Sequence, residues 1–195
     1  MAKREDIQHS VLIVSSSDKF DALVRRSLSP RNYASVESKK NSGMARRCIL
    51  ERYYDLVIIN VPLQDERGED LALDVTENCN ASVLLVVPQE IYGDLLEAVT
   101  DYGILIIPKP VPRGEIDKAI RFLTATQNKI HSLERKLQAS QEKMEELRLV
   151  NKAKILLMER KHLTEDDAHR LIGKQAMDHG LSRGSIARRI IEDLE

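Results

Sequence analysis

Between Arg148 and Ile190, ten cations (Arg148, Lys152, Lys154, Arg160, Lys161, Arg170, Lys174, Arg183, Arg188 and Arg189) stand against five acids (Glu159, Glu165, Asp166, Asp167 and Asp178). A local positive balance of this kind suits contacts with nucleic-acid phosphates, and it equally suits a solvated helical surface. No Phe, Tyr or Trp follows Phe122. Bases bound by this tail would therefore stack on arginine planes or on His169, and a stacking sheet of the RRM or OB type is excluded there. Other reactive residue types form no recognisable constellation. His162, His169 and His179 lack metal-ligand spacing with either cysteine, Cys48 or Cys79. Asp166 and Asp167 fall in a predicted first helical turn, where carboxylates favour the macrodipole. There is no P-loop and no nucleophile elbow. The sequence thus predicts no enzyme, no catalytic residue, no metal and no cofactor.

The elements that must position these residues come in two textures. Val11–Val14, Leu56–Ile59, Val83–Val87 and Ile104–Ile107 are continuous apolar runs, as expected of strands buried on both faces, and Ala34–Glu37 is a weaker one. Helical stretches separate them, roughly Phe20–Leu28, Gly43–Arg52, Glu69–Glu77 and Ile91–Val99. Five strands alternating with helices predict an α/β fold with a doubly wound parallel sheet, whose sites lie at the carboxyl ends of the strands. Beyond Pro112 the texture is helical. Ile130, Leu133, Leu137, Met144 and Leu147 occupy a and d positions of a heptad, with Ser140 and Asn151 as polar members of the seam. That pattern predicts a coiled-coil stalk and a homodimer. The apolar set then widens to Leu149, Val150, Ala153, Leu156 and Leu157, which predicts packing against more than one neighbour. Two short helices follow, one from Thr164 to Gly180 with Asp167 placed for a capping box, and one opened by Ser182 or Ser185.

Composition sets the broad class. The chain is 42% hydrophobic and 31% charged with a net charge of −1, so no global field draws it to nucleic acid or membrane. Met1–Ser10 lacks the apolar core of a secretory signal, and no apolar run is long enough to cross a bilayer. Two cysteines without C-x-x-C spacing read as reduced thiols of a cytoplasmic protein.

Over about residues 8 to 123 the strand pattern resembles the receiver domain of bacterial response regulators. The resemblance implies an acidic pair after strand 1, a phosphoacceptor Asp at the end of strand 3, a Thr or Ser hydroxyl after strand 4 and Lys-Pro after strand 5. Here the pair is replaced by Ser15 and Ser16, the acceptor by Asn60 and the hydroxyl by Val87. Lys109-Pro110 persists, with Pro62 and Gly68. An amide supplies no carboxylate nucleophile, and Ser15, Ser16 and Asn60 offer Mg²⁺ only neutral oxygens. A pseudo-receiver that is not phosphorylated is expected, with Asp18 capping the first helix and Lys109 bonded to the Asn60 carbonyl or nearby backbone.

Ala153-Lys154-x-x-Leu157-Met158, Leu163-Thr164-Glu165-x-x-Ala168, Ala176-Met177 and Ile186-Ala187-x-x-Ile190 resemble the ANTAR domain over about residues 140 to 195. The layout is similar to the amidase-operon antiterminator subgroup, in which a degenerate receiver precedes a coiled coil and an ANTAR tail. His169 departs from the aromatic residue usual there, and Gly173 from the usual Arg. The resemblance implies three domains: pseudo-receiver 1–123, stalk 124–147 and a three-helix ANTAR-type bundle 148–195. It also implies an RNA-binding antiterminator that holds paired hairpins of a leader mRNA, with a sensor protein or ligand acting on the pseudo-receiver and no membrane partner. Lys154, Lys174, Arg188 and Arg189 are the expected RNA contacts, and Ala176 with Met177 are expected in the helical core. The alternatives are a signalling adaptor whose tail binds protein, and a DNA-binding response regulator. For the latter, Leu163-Thr164 and Gly180–Ala187 resemble the start of a LuxR-type helix-turn-helix, but no room is expected for a recognition helix before Glu195.

Overall fold

Apolar strands in the first half build a five-stranded parallel sheet in the order β2-β1-β3-β4-β5. The computed structural model describes residues 8–195. The reading of Met1–Ser10 as no leader falls largely on residues 1–7, which lie outside the described residues. The strands are β1 (His9–Ser15), β2 (Tyr33–Lys39), β3 (Leu56–Asn60), β4 (Ser82–Val87) and β5 (Leu105–Pro108). Between them run α1 (Asp18–Ser27), α2 (Ser42–Glu51), α3 (Glu69–Asn78) and α4 (Gln89–Thr100). Side chains alternate across each strand, so one apolar run feeds two cores. Leu12, Val14, Val57, Ile59 and Leu85 pack with Ala45, Leu71, Ala72 and Val75 on one face. Val11, Ile13, Ile58 and Val86 pack with Val24, Ile116 and Ile120 on the other. This double burial is the reason the runs carry no polar alternation.

Polar residues punctuate the elements. Ser17 caps α1 by accepting from the Phe20 N–H, so Asp18 is the first helical residue and not the cap. The Asp18 side chain is 92% exposed and paired to Lys40, which follows the end of β2. Asp65, in the loop after β3, accepts from the Ser42 and Gly43 N–H groups at 2.9 and 3.0 Å and from the Ser42 hydroxyl at 2.7 Å. Those donors hold its carboxyl down at about 2 and pin the start of α2. Gly68 opens α3 at φ 98°, and a Cβ there would sit 3.1 Å from Val61 Cγ2. Both the positive φ and the close approach require glycine.

Helix α5 (Arg113–Lys161) is continuous for 49 residues, unbroken at either 123/124 or 147/148. The chain divides between His131 and Ser132 into two compact units. In the second, α5 packs with α6 (Glu165–His179) and α7 (Arg183–Leu194) around Val150, Ala153, Leu157, Ala168, Ile172, Ala176, Ile186, Ala187, Ile190 and Ile191. Alanines at 153, 168, 176 and 187 let the three helices approach closely, which is why the bundle needs no aromatic filler. Thr164 caps α6 by accepting from the Asp167 N–H at 3.2 Å. The Asp167 carboxylate takes the Thr164 hydroxyl at 2.7 Å and not the Thr164 N–H, so half of the expected capping box forms. Gly180 closes α6 at φ 62°, and Ser182, not Ser185, caps α7.

Candidate nucleic-acid interface and the degenerate receiver site

Parallel pairing brings Ser15 of β1 level with Asn60 of β3 at the carboxyl edge of the sheet. Both are 3% exposed. The Ser15 hydroxyl accepts from Asn60 Nδ2 at 2.8 Å and from the Ser17 N–H at 3.1 Å, and donates to the Ser17 carbonyl at 3.3 Å. Its capacity is therefore filled by the protein itself. Ser16 turns outward and donates to the Pro62 carbonyl at 3.3 Å. Val87 ends β4 with no exposed surface. The Lys109 ammonium bonds the Val61 carbonyl, one residue beyond Asn60, and burial pushes it below the ordinary lysine value. Among the described residues Asn60 Oδ1 is buried with no hydrogen-bond partner, which costs such a group about 1–3 kcal/mol.

This edge does not fit Mg²⁺. The ion wants one or two carboxylates besides water and phosphate, whereas Ser15, Ser16 and Asn60 are neutral and the exposed Asp18 carboxylate is paired with Lys40. At the acceptor position the Asn60 amide supplies no carboxylate nucleophile. What the arrangement does is lock the ends of β1 and β3 together.

The three-helix unit presents cations of two kinds. Lys154 is tied to Glu165 at 2.7 Å and Lys152 to Glu195 at 2.5 Å. The first pair links α5 to the first turn of α6 and holds the Glu165 carboxyl below its ordinary value. Arg170, Lys174, Arg183, Arg188 and Arg189 are exposed and carry no ion pair or side-chain hydrogen bond among the described residues. Of the four expected RNA contacts, Lys174, Arg188 and Arg189 are thus open, and Lys154 is engaged. At the start of α7, the Gly184 N–H donates to Glu146 Oε1 on α5 at 3.1 Å, where an anion suits a helix N-terminus. Ala176 is buried as expected. Met177 is not: it is 78% exposed, because Ala168, Ile172 and Ala176 repeat every four residues and Met177 lies a further 100° around the helix.

Along α5, Leu133, Leu137, Met144 and Leu147 are all more than half exposed, and Ile130 is half-buried. Ile155 and Met158, which the heptad reading did not include, are 55% and 40% exposed. Ile155 joins Met144, Leu147 and Asn151 in lining one shallow apolar surface. The sequence signal for it was present: 144, 147, 151 and 155 step by three or four.

Comparison with known proteins places both halves. The family model for the ANTAR domain matches residues 138–191. The transcriptional regulatory protein PdtaR of Mycobacterium tuberculosis is 28% identical over 141 residues, covering 72% of this chain and 68% of that protein. Among solved structures, the signal receiver domain of an HD domain-containing protein from Pseudomonas fluorescens Pf-5 superposes with a TM-score of 0.58 at 19% identity, over 68% of this chain and 97% of that one. A two-component response regulator from Clostridium difficile gives a TM-score of 0.55 at 17% identity, over 62% and 99%. Among the described residues no helix is long and apolar enough to cross a membrane. The sheet carries the receiver likeness in fold, and the helical unit carries the match to the ANTAR domain, over residues 138–191.

Proposed function

We propose that this protein is a phosphorylation-independent, RNA-binding transcription antiterminator. Residues 1–123 form a pseudo-receiver, 124–147 a dimeric stalk and 148–195 the RNA-binding domain. The homodimer holds paired stem-loops of a nascent leader mRNA in the cytoplasm, so that a terminator does not form. The observation that carries this reading is the coincidence of the ANTAR match with a helical unit whose outward Lys174, Arg188 and Arg189 have no carboxylate partner among the described residues. These three make the phosphate contacts. Lys154 acts through Glu165, holding α6 on α5. The uncovered stripe Leu133, Leu137, Met144 and Leu147 supports the stalk, since a second copy of the same stripe would bury it. With the acceptor edge lacking a carboxylate, control comes from a sensor protein or ligand on the pseudo-receiver.

Two measurements test this. In gel-shift titrations the full chain prefers hairpin RNA to duplex DNA. Alanine at Lys174, Arg188 or Arg189 weakens every hairpin similarly and lowers the salt dependence by about one counterion each. Equal affinity for duplex DNA, or binding to neither, ends the antiterminator reading and favours the DNA-binding or adaptor alternatives. Separately, incubation with acetyl phosphate and Mg²⁺ leaves the mass of the protein unchanged. Asn60→Asp alone does not restore good Mg²⁺ binding, because one carboxylate replaces an acidic cluster. A stable stoichiometric phosphoryl adduct on the wild type would overturn the claim of phosphorylation independence.

A further inference from the structure

Gly173 leaves a gap in the surface of α6, and Arg183 from the first turn of α7 occupies it. A Cβ on Gly173 would lie 3.8 Å from Arg183 Nη2 and 4.0 Å from Nε, both ordinary contact distances. The guanidinium therefore lies over the α6 backbone at this residue, a position that a longer side chain at 173 would fill. On the adjoining face, Arg170, Lys174 and Met177 line up at spacings of four and three. All three are exposed, Met177 to 78%. Arg170, Lys174 and Arg183 have no ion-pair or side-chain hydrogen-bond partner among the described residues. Apart from Asp178, the acids of α6 are confined to its first turn.

We propose that this face is a stacking seat for one unpaired nucleobase of an RNA loop, with Arg183 as the platform. The proposal rests on the RNA-binding reading above and names the mode of contact. A single-stranded base offers a π-face that needs a planar partner. No Phe, Tyr or Trp follows Phe122, so the planar groups available are guanidiniums and His169, and Arg183 is the guanidinium that lies against α6 at Gly173. Met177 adds a polarisable, apolar surface one turn along α6, which suits an aromatic ring. Arg170 and Lys174 supply charge complementary to the phosphates on either side of the base.

The test separates plane from charge. A hairpin RNA is enriched from a randomised-loop pool with the wild-type full chain, and its loop nucleotides are then made abasic one at a time. One position is expected at which loss of the base weakens wild-type binding at least about fivefold. Arg183→Lys keeps the charge and loses the plane. It binds the intact hairpin weaker by a similar factor, shows no further loss with the abasic hairpin, and retains the salt slope. Gly173→Ala leaves affinity unchanged, since a Cβ fits at contact distance, whereas Gly173→Leu displaces the guanidinium and reproduces Arg183→Lys. Circular dichroism on each variant confirms that the helices persist. If Arg183→Lys binds the intact hairpin like wild type, or no abasic position matters, the stacking seat is wrong while RNA binding stands. If the wild type enriches no hairpin over duplex DNA, the function itself fails and the seat falls with it.

Discussion

Changing Leu133 and Leu137 together to glutamate is expected to turn the proposed stalk dimer into a monomer at micromolar concentration in sedimentation experiments. Both side chains are more than half exposed, at 51% and 59%, so the single chain loses no internal packing and its helical signal should hold. In a two-stranded seam the same positions face their counterparts, and each substitution would bury a carboxylate against an apolar neighbour and its own copy. An unpaired buried ion is costly enough to abolish association. The consequence for RNA is larger than the change in mass. When two hairpins lie on one transcript, a dimer binds the second from an effective concentration in the millimolar range. Linked binding of this kind exceeds the single-site affinity by about 10²–10⁴-fold. The double variant should lose about that factor on a tandem-hairpin RNA and nothing on a single hairpin. A double variant that still sediments as a dimer would move the interface elsewhere, and a tandem RNA bound no better than a single hairpin by the wild type would remove the pairing of stem-loops from the mechanism.

The parts of this molecule legible in its sequence are those where one physical requirement acts alone. Val83–Val87 reads as a strand because both faces are buried and nothing else competes for its pattern. Tyr33–Lys39 is harder, since β2 pairs with β1 alone and only Tyr33 is buried along it. Edge position removes the signal that central strands carry. At the start of α1, the run Ser15-Ser16-Ser17-Asp18 offers several caps of similar quality, and the structure uses Ser17. Asn60 could be read as a lost acceptor, but its bond to Ser15 depends on the β1–β3 register, which no local pattern encodes.

Tertiary pairs in the helical unit were equally hidden. Lys154 and Glu165 are eleven residues apart across a turn, and Gly173 and Arg183 are ten apart on different helices. Each pair joins two helices across a break, so periodicity within one helix does not predict it. Charge counting treated Lys154 and Arg183 alike, yet one ammonium is held by a carboxylate and one guanidinium lies open. Met177 is the opposite case. The repeat Ala168, Ile172, Ala176 already defined the buried stripe, and continuing it excludes residue 177. Adjacency within the Ala176-Met177 motif concealed what the helical period states.

That distinction gives the sharpest stability contrast in the chain. Ile172→Ala should unfold α6 and α7, whereas Met177→Ala should leave them intact. Ile172 is 1% exposed and lies at the centre of the only core the three helices share among the described residues. Removing three of its carbons forfeits transfer free energy and leaves a cavity, together about 2–5 kcal/mol. A unit built from so few buried side chains has little stability in reserve, so the loss is comparable with the whole. Thermal melts followed by circular dichroism should show the helical transition at much lower temperature and hairpin binding lost with it. The receiver-like sheet, with its own two cores, should melt as before. Met177→Ala removes a side chain that is mostly in water, and its melt should stay within about 0.5 kcal/mol of wild type. Any RNA affinity it loses then reflects contact and not folding. Equal destabilisation by the two substitutions would place Met177 in a core, contradict the helical packing described here, and remove it from the nucleobase seat.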